Sequence, residues 1–412
     1  NRFGDTSIVP PGSTVRTGRG GIALRANDSN PERIMLRTTL VDIPRANVGD
    51  SYAGATVGVV DYNFGNFSLL PSVAPTLVNG GRQREVTKKA NVLQLSVATF
   101  NVENLAPTDP QAKFDTLAQY AVHNLQAPDI LALEEIQDNS GATDDGVVAA
   151  DQTIEKLTTA IRAAGGPAYQ SRSIDPVNDA DGGQPGGNIR VVFLFRTDRG
   201  LQFVDRPGGT STAATTIVRD PAGRPHLSFS PGRIDPASTA WTTSRKPLAA
   251  EFRWRGRTIF AVANHFVSKG GDDPLYGRFQ PIQQPSQAQR VQQATEVRDF
   301  VDQIVAADRN ANVVVLGDLN DFDFSAPIDT LTSTGHLVDL PRALPIQERY
   351  TYVFEGNSEV LDHIMLSKAL AYAIPACSCL PLFDYDPVHL NAEFNDQASD
   401  HDPQVVRLLV RP

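Results

Sequence analysis

Through the last three quarters of the chain, apolar residues fall into short runs that end in oxygen-bearing side chains. VLQLSVATFNVENL (92–105) closes on Asn101, Glu103 and Asn104, and DILALEEI (129–136) closes on Glu134 and Glu135. GGNIRVVFLFR (186–196) enters its run at Arg190. KPLAAEFRWRGRTIFAVANHF (246–266) reads as a hairpin turning at Arg255-Gly256; it ends in Asn264-His265, with Ser268 and Lys269 beyond. ANVVVLGDLND (311–321) ends in Asp318, Asn320 and Asp321. VLDHIMLS (360–367) carries Asp362 and His363 inside an apolar run, and SDHD (399–402) precedes QVVRLLV (404–410). Short apolar runs bounded by polar groups are the pattern of buried strands. Three stretches have helical spacing instead: FDTLAQYAVHNL (114–125), TIEKLTTAIRAAG (153–165) and SQAQRVQQATEVRDFVDQIVAAD (286–308). The second ends on a glycine stop; the third places Val291, Ala294, Val297, Val301 and Ile304 on one face.

Residues 1–90 show no helical period. RIMLRTTLVDI and ATVGVVDYNFGNFSLLP alternate and are broken by Gly, Pro and Asn, which predicts a small β domain. NGGRQREVTKKAN (79–91) is polar and reads as the linker. The division expected is a β-rich domain with its linker over 1–90 and a large α/β domain over 91–412. In the second domain strands and helices alternate with inserted hairpins, which suggests two mixed sheets packed face to face with helices outside.

A single Asp after a strand is a turn former or cap in about four cases of five. Six such clusters at strand ends are not explained by turns. Burying an unpaired carboxylate costs several kcal/mol, and convergence on one or two divalent cations offsets that cost. Carboxylate and amide oxygens suit Mg²⁺, Mn²⁺ or Ca²⁺ better than zinc. Three of the seven histidines, His265, His363 and His401, sit in these clusters. Such a ring, oriented by a carboxylate, is a candidate base near neutral pH. His123, His226, His336 and His389 read as ordinary surface or core residues. The Asp-rich segments 177–181 and 270–273 are candidates for structural Ca²⁺.

The net charge of −10 argues against binding polyanions by bulk attraction. Residues 1–90 nevertheless hold eleven Lys and Arg against seven Asp and Glu. No apolar run reaches the ~18 residues that span a bilayer. The two cysteines, Cys377 and Cys379, flank one residue and read as free or awkwardly bridged thiols. Their scarcity fits an exported bacterial protein.

TFNVENL, DILALEEIQD, NIRVVFLFR, ANHFVSK, VVVLGDLND, VLDHIML and SDHDPQVV, in this order, resemble the endonuclease/exonuclease/phosphatase superfamily. SKGGDDPLYGRFQP (268–281) with its following helix, and YTYVFEGNSEVLDHI (350–364), resemble loops of secreted bacterial nucleases within it. NRFGD and VVDYNFGNFSLLP resemble the region before their catalytic domain, an OB-type module that is incomplete here. In such a module Tyr62, Phe64 and Phe67 are candidates for stacking on single strands, with packing the favoured role.

The resemblance implies a four-layer sandwich and a secreted, metal-dependent nuclease acting on DNA and RNA. It implies that Glu135, Glu103, Asn101 and Asp400 hold Mg²⁺ or Mn²⁺. Asp318 would activate water, Asn320 bind phosphate, and Asp362 orient His401. His265 would contact the scissile phosphate or assist the leaving group, with Arg190 and Tyr352 as weaker phosphate-binding candidates. A phosphatase or phospholipase C-type phosphodiesterase on the same scaffold is the alternative, and a catalytically inactive nucleic-acid-binding surface protein is a third reading. No protein partner is implied.

Overall fold

The computed structural model describes residues 5–411 apart from 11, 13, 14, 64 and 276–278. Phe64, residues 1–4 of the NRFGD stretch and 276–278 of the 268–281 loop lie outside the described residues.

The larger α/β region contains β1 (Leu95–Leu105), β2 (Ile130–Ile136), β3 (Tyr169–Arg172), β4 (Arg190–Arg196) and β5 (Leu201–Phe203). They are followed by β6 (Leu248–Trp254), β7 (Arg257–His265), β8 (Asn312–Asp318) and β9 (Leu337–Asp339). β10 (Asp362–Ser367), β11 (Phe383–Pro387) and β12 (Gln404–Leu408) complete the set. The helices are α1 (Gln111–Gln119), α2 (Asp151–Ala163), α3 (Pro285–Ala307) and α4 (Ala326–Thr332). One sheet has the order β3-β4-β2-β1-β12-β11. The other runs β5-β6-β7-β8-β10-β9, with Gly232–Arg233 added beside β6. β1 with β2 and β7 with β8 are parallel; their other neighbours are antiparallel.

The apolar period explains the layers. In β8, Val314 and Leu316 face the core between the sheets, where they meet Phe193, Phe252 and Val406. Val313 and Val315 face the other way, under Val297, Val301 and Ile304 of α3. A continuous VVVL run is therefore what a strand covered on both faces requires. The outer face of the first sheet is covered by Phe114 and Leu117 of α1 and Leu157 and Ile161 of α2. Removing each such side chain from water stabilises by roughly 1.5–3 kcal/mol before ordering costs. The result is the helix–sheet–sheet–helix sandwich expected.

The hairpin turns at Arg255-Gly256 as expected, since β6 and β7 pair Trp254 with Arg257. The first helix differs: α1 starts three residues earlier and ends at Gln119, passing into a wider π-turn over Tyr120–Asn124. Asn124 in that turn is engaged by the linker: its carbonyl accepts the Thr87 N–H, and its amide donates to Glu85 O. The stretch read as linker forms no helix or strand but lies along the α/β region, with Arg84 paired to Asp396.

The N-terminal region is β-rich, with a four-stranded sheet ordered Thr6–Ile8, Ile34–Leu36, Asn66–Pro71, Gly58–Asn63. Gly58–Asn63 is an open edge. The packing role favoured for its aromatics does not hold: Tyr62 and Phe67 touch edge to face, yet remain 42% and 59% exposed. The sheet places both on its solvent side. Cys377 and Cys379 are joined as a disulfide, the bridged of the two alternatives expected, and are not free thiols. Their Cα atoms are 5.3 Å apart, within ordinary disulfide range. Among the described residues no helix is long and apolar enough to cross a membrane.

Candidate active site

The parallel pairs bring four strand ends to one edge. Asn101 in β1 pairs with Glu134 in β2, and His265 in β7 pairs with Asp318 in β8. β10 runs back along β8, so it begins with Asp362 opposite Asp318. The loop before β12 carries Asp400 and His401 to the same edge, where an isolated bridge joins His401 to Tyr352.

The backbone there departs from ordinary strand geometry. Glu103 (φ 50°), Asn104 (φ 49°), Glu135 (φ 65°) and Asn320 (φ 52°) all lie in the left-handed region. For a non-glycine residue this costs of order 1–2 kcal/mol. The turn at Glu135 breaks strand alternation, so Glu134 and Glu135 both face the space between the sheets. Gly317 adopts φ 127°, and a Cβ there would sit 2.0 Å from Asn264 O. The glycine of LGDLND thus permits the close approach of β8 to β7 that sets Asp318 beside His265.

Asp318 is the hub. Its Oδ1 accepts the Asn320 N–H at 2.8 Å, and its Oδ2 accepts from Asn101 Nδ2 at 3.1 Å and Asn320 Nδ2 at 3.3 Å. His265 Nε2 is 3.6 Å away and His401 Nε2 3.8 Å. Asn101 Nδ2 also donates to Glu135 Oε1 at 3.1 Å, and Glu135 Oε2 accepts the Asn104 N–H at 2.8 Å. His401 Nδ1 lies 2.8 Å from Asp362 Oδ2. Tyr352 lays its ring 4.6 Å from that of His401 and donates its hydroxyl to Asp400 Oδ2 at 3.2 Å.

Electrostatics separate the two histidines. Burial, Arg245 and His401 together hold the His265 ring well below its usual pKa, so it is neutral. Burial also opposes charge on His401, but Asp362 and Asp318 outweigh it and raise it well above the usual value. The acids shift upward. Glu103 is pushed up to about 7 by burial and then by Asp400. Burial likewise lifts Asp318, against the pull of His401. Glu134, wholly buried and bonded only to Thr99, is raised well above the carboxylate range.

Most predicted site residues meet here: Asn101, Glu103, Glu135, His265, Asp318, Asn320, Tyr352, Asp362, Asp400 and His401. Arg190 does not. Its guanidinium is buried in a pair with Asp175, and Nη2 donates to Asn188 O. The charges acting on it are Asp175, Asp138, Arg233 and Asp181, none of them in this group, so it is a structural pair rather than a phosphate clamp. His363 points to the other face of β10, onto Asp339 and Asp321 O. His389 is a core residue, one of the two readings expected of it: its buried ring stacks on Tyr350 and bonds to Asp402. The Asp-rich segments are also engaged: Asp181 pairs with Arg233 and Lys246, and Asp272 with Arg290.

Arg245 was missed. It is buried, donates to Phe266 O, and feels Glu135 and Asp318. It stands in SRKPL, before an apolar run with no acid or histidine to mark it. Glu134 was visible as a strand-end acid but given no role.

The donor set fits a divalent cation. Ligand atoms of Glu135, His265 and Asp318 all lie within 4.8 Å of one another, and so do those of Asp318, Asp362 and His401. Glu134 Oε2 and Asp362 Oδ1 are buried without hydrogen-bond partners. Of the two groups, Glu135, His265 and Asp318 contain the neutral histidine rather than the charged one, so they are the candidate ligands. Glu103 and Asp400, expected as ligands, lie beside them and repel one another.

Residues 98–401 match the model of the Endonuclease/Exonuclease/phosphatase family, and residues 1–79 match a domain of unknown function, DUF8508. No curated protein matches the chain. Among solved structures, an endonuclease/exonuclease/phosphatase from Bacteroides vulgatus is 16% identical with TM-score 0.45, covering 76% of this chain and 98% of its own. The human Nocturnin catalytic domain with bound sulfate is 14% identical with TM-score 0.49, covering 77% and 95%. A Bacteroides thetaiotaomicron mannosyl-6-phosphatase is 16% identical with TM-score 0.44, covering 76% and 99%.

Proposed function

Because the chain belongs to the endonuclease/exonuclease/phosphatase family, whose members are hydrolases of phosphoester bonds that use divalent metals, we propose that it is an exported bacterial nuclease. Its reaction is hydrolysis of DNA phosphodiesters, with RNA as a second substrate and little sequence preference. The observation that carries this reading is Asp318, shared between a metal-type donor group and a charged histidine.

The chemistry follows from those residues. A divalent cation held by Glu135 and Asp318, with His265, Glu103 and Asn101 beside them, would neutralise charge on the phosphate oxygens. Asp318, in its ionised form and made more basic by burial, takes the proton of the attacking water as the new O–P bond forms in line with the one that breaks, and the departing oxygen takes a proton from solvent. His401, kept protonated by Asp362, donates to a phosphate oxygen as negative charge builds there. Asn320 adds an amide donor beside it. His265, neutral, neither repels the cation nor supplies a proton.

Two observations support nucleic acid and export. Tyr352 stacks with Phe354 at 6.4 Å, and Phe354 is half exposed, so an aromatic face adjoins the phosphate position. Aromatic faces stack bases of any sequence. The Cys377–Cys379 disulfide fits an oxidising compartment. The test is plasmid nicking with Mg²⁺ and with EDTA, beside turnover of phosphoinositide and sphingomyelin. Cleavage of DNA that EDTA abolishes supports the reading; lipid turnover alone, or no turnover, contradicts it.

A further inference from the structure

The wall of the centre that carries Tyr352 is a hairpin of two three-residue strands, Tyr352–Phe354 and Asn357–Glu359. Two strands of that length are marginal in water without a third. The third comes from the far end of the chain. Ile22–Ala23 pairs in parallel with Asn357 and Ser358, and the Leu24 N–H donates to Ser358 O at 3.0 Å. Asn30 Nδ2 ties the same place, donating to Asn357 Oδ1 at 2.9 Å and to Ala23 O at 3.1 Å. The Leu24 side chain is buried against Phe322 and Leu361, with Tyr352 packed on that cluster.

Arg19 makes a second tie. Its Nε donates to Glu393 Oε2 at 2.6 Å, and the other oxygen of that buried carboxylate accepts the Tyr350 hydroxyl at 2.7 Å. From Tyr350 the chain leads straight into the centre. Thr351 Oγ1 accepts the N–H groups of Leu361 and Asp362 at 3.2 Å, and Thr351 O accepts that of Asp402 at 2.7 Å. Tyr352 then meets Asp400 and His401.

We propose that residues 19–24 are a positioning element for the catalytic centre: they complete the sheet and close the buried ion pair that hold Tyr352 against Asp400 and His401. The N-terminal region thereby acts in cis on the site. Residues 19–24 do not touch the reacting atoms; they act through the hairpin. The kinetic consequence rests on the phosphodiesterase reading, whereas the positioning does not.

The experiment uses the full chain. Amide hydrogen exchange is followed over 350–362 and 399–404 in metal-free wild type, Leu24→Ala, Arg19→Ala and Arg19→Lys. Tyr52→Phe, which removes a hydroxyl donor to Pro44 O elsewhere in the N-terminal region, is the control. Leu24→Ala and Arg19→Ala are expected to speed exchange in both segments by about tenfold or more, because local opening there becomes easier. Arg19→Lys retains the charge on Glu393 and stays nearer wild type; Tyr52→Phe stays at wild type. In plasmid cleavage the two alanine variants lower kcat more than they raise KM. Wild-type exchange over 350–362 and 399–404, with faster exchange confined to 22–36, overturns the proposal. Should wild type cleave no DNA, the substrate reading fails and the exchange result still decides the positioning.

Discussion

Asp318 accepts from three amide groups of two asparagines and lies 3.6 Å from a neutral imidazole and 3.8 Å from a charged one. Removing the hub, or the cation opposite it, takes away an interaction that matters most as charge develops on phosphorus. Asp318→Ala and His401→Ala are therefore each expected to lower kcat by at least ~10² with the fold intact; steady-state cleavage and circular dichroism check this. The pH dependence of stability has a definite sign. Glu103 rises from 4.5 to about 7 and Glu359 from 4.5 to about 8, both chiefly through burial. His401 is raised too, by its carboxylate partners against burial. A group raised on folding contributes stability that is complete below its unfolded pKa and is lost as pH climbs through its folded one. All three losses point the same way; His265, held below its usual value by burial, acts oppositely but only up to about pH 6.5. The metal-free protein should melt progressively lower as pH rises from about 6.5 to about 8. Added Mg²⁺ should raise Tm more at the upper end, where the acids are ionised and able to bind it. Melting curves with and without EDTA test both statements.

Among the elements, β8 shows how a strand end is tuned. Gly317→Ala places a methyl 2.0 Å from Asn264 O and forces φ 127° on a residue with a Cβ. It should cost on the order of 3 kcal/mol or more and shift Asp318 out of place, read as a lowered Tm together with lost activity. Glu103→Gly should do the opposite to stability. It relieves a left-handed backbone and removes a burial-strained acid, so the metal-free protein gains roughly 0.5–1 kcal/mol while Mg²⁺ binds more weakly, measurable by calorimetry.

Much at this scale was legible in the sequence. Strands buried on both faces leave continuous apolar runs, and a polar end to each run marks where they converge. That is why β1, β2, β7 and β8 and their acids could be read directly. Register and facing were not legible. Arg190 starts its strand just as a clamp would, but only the position of Asp175 shows that its charge is consumed inside the fold. Arg245 carried no local mark, because its neighbours at the centre come from β2 and β8 rather than from its own segment. The third strand over Ile22–Ala23 is two residues long, too short for any period to register.

For the whole molecule, the net charge of −10, and the pairing of Lys269 with Asp321 beside the centre, imply few phosphate contacts among the described residues. Binding to DNA should then fall only gently with salt, with a log–log slope of about −2 to −3 rather than the steep dependence of a basic groove. Fluorescence anisotropy of a short duplex in Ca²⁺ with EDTA controls, across a salt series, measures it. The N-terminal region and the linker are tied to the sandwich through Arg19, Arg84 and Ile22–Ala23. The most direct test of the central claim is anomalous diffraction from a crystal soaked in Mn²⁺. The account predicts a peak within coordinating reach of both Glu135 and Asp318, facing His401. A manganese-activated protein whose only peaks lie away from those two carboxylates would contradict it.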